Sequence, residues 1–302
     1  MQKLPRAQLA LEGLSVGDAF GQKFFGNYDE VVRKIEERVI PQAPWHLTDD
    51  SIMGIAIVET LQKHDGIDQD YFAQCLAKNY KKNIYRGYGG MAHSILQAIY
   101  QGQDWRIVSP SVFDGSGSYG NGAAMRIAPL GGYFADHIPL LKKHALLSGE
   151  VTHAHLEGKV GGLAVALAAS WAFNHQGNAT ISHDMLHFVV EHLPDSDVKS
   201  GIAKACELPL SYKVETATAA LGNGSQISAQ DTVPFTLWCA ARHINDFEEA
   251  MWATVSGLGD RDTTCAIVGG IVALSVGEQG IPKEWLQARE SLTNWEGRES
   301  QW

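Results

Sequence analysis

The chain predicts an all-α, single-domain fold, and three observations predict it. Period-two runs of β-branched residues between tight turns are scarce, while apolar residues recur at helical spacing along most of the sequence. Two helical stretches, 51–63 and 263–276, are apolar nearly all round, which places them inside a bundle rather than on its surface. No low-complexity linker and no repeat at solenoid periods divides the chain, so 1–302 reads as one compact domain.

In order, helical periodicity predicts segments at 7–19, 51–63, 70–80, 91–101, 138–148, 156–173, 183–192, 198–207, 233–241, 246–255 and 263–276. Small residues concentrate in two of them: Gly161, Gly162, Ala164, Ala166, Ala168 and Ala169 in one, and Ala266, Gly269, Gly270 and Ala273 in the other. A helical Gly costs up to ~1 kcal/mol against Ala, so close helix–helix packing is the expected reason for them. The stretch 105–122, rich in Gly, Ser and aromatics, is expected to be one long irregular loop with a functional role.

A formal charge of 24 − 34 = −10 argues against nucleic acid and anionic membranes as partners. The N-terminal residues lack the apolar core of a signal peptide, and the longest apolar run, 160–173, is too short to span a bilayer. Cys75, Cys206, Cys239 and Cys265 are scattered without a C-x-x-C pair, which suits reduced thiols. The expectation is a soluble, cytoplasmic monomer.

Two acidic clusters near opposite ends of the chain carry the chemistry. Thr48-Asp49-Asp50-Ser51 opens one apolar helix, and Gly259-Asp260-Arg261-Asp262-Thr263-Thr264 opens the other. A single Asp, Ser or Thr at such a place is commonly only a cap. A cap needs one acceptor, however, and each cluster offers more than a cap can use. Oxygen-rich clusters beside a buried core suit a hard cation such as Mg²⁺. Arg261 sits between two acids, so a salt bridge is the competing reading.

The run Gly115-Ser116-Gly117-Ser118-Tyr119-Gly120-Asn121-Gly122-Ala123-Ala124-Met125-Arg126 precedes a helical stretch, as a phosphate cradle would. It is not a P-loop, because no Gly-Lys-Ser/Thr follows. Phe113 and Tyr119 bracket it and are candidates to stack on a base. His153 reads as a polar contact to substrate; His155 is left without a role.

Together these motifs resemble the ADP-ribosylglycohydrolase family. The resemblance runs from Gly17-Asp18-Ala19-Phe20-Gly21 to the Gly269-Gly270 helix, and four motifs carry it. They are Leu47-Thr48-Asp49-Asp50-Ser51, the stretch 117–126, Thr152-His153, and Gly259-Asp260-Arg261-Asp262-Thr263. The resemblance implies an all-α orthogonal bundle with two Mg²⁺ ions, or Mn²⁺ in their place. Thr48, Asp49 and Asp50 would ligate from one side, and Asp260, Asp262 and Thr263 from the other. Gly117, Ser118, Tyr119, Gly120, Asn121 and Gly122 would hold the diphosphate, Phe113 and Tyr119 the adenine, and His153 the nucleotide portion.

The implied activity is hydrolysis of the N- or O-glycosidic bond between ADP-ribose and a protein side chain or small acceptor. Asp49 or Asp50 would be the proton acceptor. Alternatives on the same scaffold are a non-catalytic ADP-ribose binder, a structural relative like the lens crystallins, or a hydrolase of a free ADP-ribosyl derivative. The chain departs from the family pattern at three places. Arg261 stands where the motif has a small residue, Phe25 where many relatives have Glu, and Ser51 where Thr is common.

Overall fold

A computed structural model describes residues 2–177 and 182–295. The helices are α1 (Lys3–Gln22), α2 (Tyr28–Glu36), α3 (Asp49–His64), α4 (Gln69–Lys82), α5 (Gly90–Tyr100) and α6 (Trp105–Ser111). Next come the short α7 (Gly122–Met125) and α8 (Ala128–Tyr133), then α9 (Ile138–Glu150), α10 (Leu156–Asn174) and α11 (Ser182–His192). The chain continues through α12 (Asp197–Glu207), α13 (Val214–Leu221), α14 (Ala229–Arg242), α15 (Phe247–Val255), α16 (Arg261–Val276) and α17 (Lys283–Ala288). Among the described residues, β structure is confined to two isolated bridges, Trp45 with Arg289 and Gly120 with Ser228. The fold is all-α, and no helix among the described residues is long and apolar enough to cross a membrane.

Side-chain caps set about half of the helix starts among the described residues. Asn27, Thr48, Asp68, Ser196 and Asp246 each accept a backbone N–H from the first turn that has no partner inside the helix. Asp104 does the same for Arg106 and starts α6, so the expected irregular stretch 105–122 is helical over its first third. Pro110 cannot donate to the preceding turn, and α6 ends one residue later.

Two central helices, α3 and α16, are buried along most of their length, as their all-round apolar sequences require. The seam between α1 and α16 is the closest helix–helix approach at any glycine among the described residues. A Cβ at Gly13 would stand 2.3 Å from the carbonyl oxygen of Gly269, at Gly17 2.1 Å from that of Cys265, and at Gly21 2.1 Å from that of Arg261. The partners ascend in one helix as they descend in the other, so α1 and α16 run antiparallel with backbones in contact every four residues. The small residues expected to serve packing do so: Gly161 and Gly270 face the Cβ atoms of Ala229 and Ala128.

Candidate active site

Thr48 caps α3, and its N–H and Oγ1 donate to Asp18 Oδ2 and Oδ1 at 2.9 and 2.7 Å. Ser51 also donates to Asp18, through its N–H at 3.2 Å and through its hydroxyl. Asp18 sits on α1 and is fully buried. It therefore orients the first acidic cluster from behind. With Thr48 performing the cap, Asp49 and Asp50 are left over, and both are buried. Asp50 Oδ2 bonds to the Thr48 hydroxyl at 2.9 Å, whereas its Oδ1 is buried with no partner.

The segment holding this cluster is fixed from the far end of the chain. Arg86 pairs with Glu290 at 2.6 and 3.0 Å and donates to the carbonyl of Leu47, while Leu47 N–H donates to Glu290. The carbonyl of Arg86 accepts the N–H of Asp49 at 2.7 Å. A bidentate guanidinium–carboxylate pair is directional, which suits a part that must hold a loop in one geometry.

The glycine seam brings the second cluster to the first, since Gly21 of α1 lies against Arg261 at the start of α16. Asp260 Oδ2 accepts from Asn121 Nδ2 at 2.8 Å, which ties this cluster to the Gly-rich loop. Asp262 Oδ1 accepts the N–H of Thr263 at 2.9 Å. Arg261 turns away: its Nη1 donates to the carbonyl of Leu258 at 2.6 Å, and its guanidinium lies over the ring of Phe25. Among the described residues it makes no direct salt bridge to Asp260 or Asp262, although both acids favour its charge through space.

Asp49, Asp50, Asp260, Asp262 and Thr263 line one cavity of about 430 Å³, with Thr48 and Asp18 packed behind them. Its opposite wall is the predicted loop: Ser118, Tyr119, Gly120, Asn121 and Gly122, with Phe113 and His153. Gly117 lies just behind that wall at φ +76°, where a Cβ would collide with Ala154 and His155. The rings of Phe113 and Tyr119 are 5.2 Å apart and partly exposed at the rim. The amides of Gly117, Gly120 and Asn121 are committed to Val112, Ser118 Oγ and Ile227. Among the described residues those of Ser118, Tyr119 and Gly122 have no hydrogen-bond partner within the chain. His155, which had no role, caps α10 by accepting the N–H of Glu157.

The sequence reading missed Asp18 and Ile227. Ile227 lines the same cavity at φ +54°, a strained conformation for a β-branched residue. The buried acids repel one another. Burial first, then Asp18 and Asp260, push the Asp49 carboxyl well above the usual range. Burial, then Asp18 and Asp262, do the same to Asp50, and burial with Asp260 raises Asp262. Burial raises Asp18 to about 6 against the hydrogen bonds from Ser51 and Thr48.

Among the described residues, no three His, Cys, Asp or Glu side chains stand together as a ready-made metal cage. The donor chemistry nonetheless fits a hard divalent ion: a buried oxygen of Asp50 without a partner, carboxylates that repel one another, and the hydroxyls of Thr48 and Thr263.

Comparison with known proteins gives a consistent picture. A family model described as ADP-ribosylglycohydrolase matches residues 2–299. The human protein ADP-ribosylhydrolase ARH3 is 28% identical, with 96% of this chain and 90% of that protein covered. ADP-ribosylarginine hydrolase Tri1 of Pseudomonas putida is 24% identical over 95% of this chain and 74% of its own length. A solved structure titled ADP-ribosylglycohydrolase-related protein complex superposes with a TM-score of 0.69 at 23% identity, covering 98% of this chain and 95% of that one.

Proposed function

Since the chain belongs to the ADP-ribosylglycohydrolase family, we propose that it is a Mg²⁺-dependent hydrolase of the N- or O-glycosidic bond between ADP-ribose and a protein side chain or small acceptor. The observation that carries this reading is the shared cavity, where both acidic clusters face a Gly-rich loop flanked by two aromatic rings. Its size suits a bound small molecule. The free thiols of all four cysteines agree with a reducing cytoplasm, and a monomer is part of the reading.

Thr48, Asp49, Asp50, Asp260, Asp262 and Thr263 would hold two ions, Mg²⁺ or in their place Mn²⁺. When bound, such ions grip sugar hydroxyls and acidify a water. The amides of Ser118, Tyr119 and Gly122 receive the diphosphate, with Ser118 and Asn121 as flanking polar groups and Gly117 and Gly120 giving the backbone its close approach. Phe113 and Tyr119 stack on adenine, and His153 donates to the nucleotide portion. Cleavage builds oxocarbenium-like charge at the anomeric carbon, and nearby carboxylates stabilise it. Asp49 or Asp50 accepts the proton of the attacking water, both carboxylates lining the cavity where that water would stand.

The test is release of ADP-ribose from Arg-, Ser- and ester-linked substrates with and without Mg²⁺. Turnover of at least one, dependent on Mg²⁺, is expected. ADP-ribose binding without any turnover would overturn the hydrolase in favour of a binding protein, and the panel identifies the linkage.

A further inference from the structure

Arg126 follows the Gly-rich loop and is fully buried, yet its hydrogen bonds among the described residues go to no carboxylate. Its Nη2 donates to the carbonyl of Ser148 at 2.8 Å and to Thr152 Oγ1 at 3.0 Å, and its guanidinium lies over the ring of Phe72. Burying a charge this way is costly and calls for a reason. Burial lowers its pKa to about 9, which still leaves it protonated at neutral pH.

The reason lies one bond further on. Thr152 Oγ1 is 2.8 Å from His153 Nδ1. A guanidinium can only donate, so the Thr152 hydroxyl receives the Arg126 proton and has its own to give. Among the described residues Nδ1 is the one partner left for that hydroxyl proton, so Nδ1 accepts it. The proton of the neutral imidazole then resides on Nε2. That edge lies along the loop: a Cβ on Gly122 would stand 3.0 Å from Nε2, and one on Gly120 3.5 Å. Burial, aided by Arg126, lowers the His153 pKa to about 3 and keeps the ring neutral.

We propose that Arg126 is a positioning residue that acts through Thr152 to hold the proton of His153 on Nε2, so that the ring presents the cavity with a fixed donor for a phosphate or hydroxyl oxygen of the ligand. The ligand's identity rests on the proposed function; the direction of the donor does not.

The test is NMR of nitrogen-labelled histidine in the ligand-free protein, paired with ADP-ribose titration. Wild type is expected to show His153 as the Nε2–H tautomer. Thr152→Val removes the relay at nearly constant volume and should mix the tautomers and weaken ADP-ribose by about tenfold. Thr152→Ser, which restores the hydroxyl, should recover both. A wild-type proton on Nδ1, or a tautomer unchanged in Thr152→Val, overturns the relay. The expected tautomers without ADP-ribose binding would support the relay and overturn the proposed function alone.

Discussion

The guanidinium of Arg261 lies 4.3 Å from the centroid of the Phe25 ring. Both are positions singled out in the sequence as departures from the motifs it resembles, and each is the other's partner. The ring and the Leu258 carbonyl hold the guanidinium out of a direct ion pair, while Asp262 and Asp260 still favour its charged form through space. A double-mutant cycle of Phe25→Leu and Arg261→Met, read by denaturant unfolding, should give a coupling of about 0.5–1 kcal/mol. Phe25→Glu should draw Arg261 into an ion pair and alter acceptor preference in the release panel. An unchanged profile would make the position inert.

Asp50 carries the buried oxygen without a partner. Asp50→Asn should lower turnover by about 10²- to 10⁴-fold. In chelator the same variant should unfold at a higher temperature than wild type, because one of several repelling carboxylates is gone. Asp262→Asn should behave alike, since Asp260 repels it. Lost activity with lowered stability would instead mark these acids as structural.

The same repulsion sets a pH dependence for the metal-free protein. Folding raises Asp18 from 3.8 to about 6. Between those values the folded state binds more protons than the unfolded one, so stability falls as pH rises. The loss from Asp18 alone is about 3 kcal/mol, complete above its folded pKa. Asp49, Asp50 and Asp262 shift the same way and add to it. Urea unfolding in chelator should therefore show greater stability at pH 4.5 than at pH 7.5, and saturating Mg²⁺ should remove the decline. Equal stability at both pH values in chelator would show that the acids are not electrostatically strained.

What could be read in advance follows from which forces act locally. That Asp49, Asp50, Asp260, Asp262 and Thr263 share a place in the fold was legible because a cap has only one job, which Thr48 does at α3, and the surplus oxygens stand out along the chain. The all-round apolar stretches likewise announced the interior positions of α3 and α16. Asp18 was not read as part of the site, since one acid in a Gly/Ala-rich helix gives no sign of what it faces. Its partners, Thr48 and Ser51, are brought to it by tertiary packing. Arg86 and Glu290 escaped for a similar reason, being joined only by the fold. The short α13 and α17 had too few turns for their periodicity to register, whereas α2, as long as the predicted α15, was amphipathic enough to be read and was missed. Asp104 was a readable cap, but Pro110 and the glycines after it outweighed that signal.

Gly17 tests whether the helix seam and the site are one device. Its missing Cβ would stand 2.1 Å from the Cys265 carbonyl oxygen, which is backbone and cannot swing aside. Gly17→Ala must therefore part α1 from α16, at a cost of about 1–3 kcal/mol or more. Asp18 is the next residue, so the same movement pulls its carboxylate from Thr48 and Ser51 and disturbs the first acidic cluster. Gly54 is the control: its Cβ would meet only the flexible tips of Leu11 and Leu14, at 3.1 Å and beyond, on a helix that Ala favours. Gly17→Ala should lower both the unfolding midpoint and ADP-ribose affinity in Mg²⁺, while Gly54→Ala changes neither by much. Equal behaviour of the two variants would show that the seam is packing without consequence for the acids.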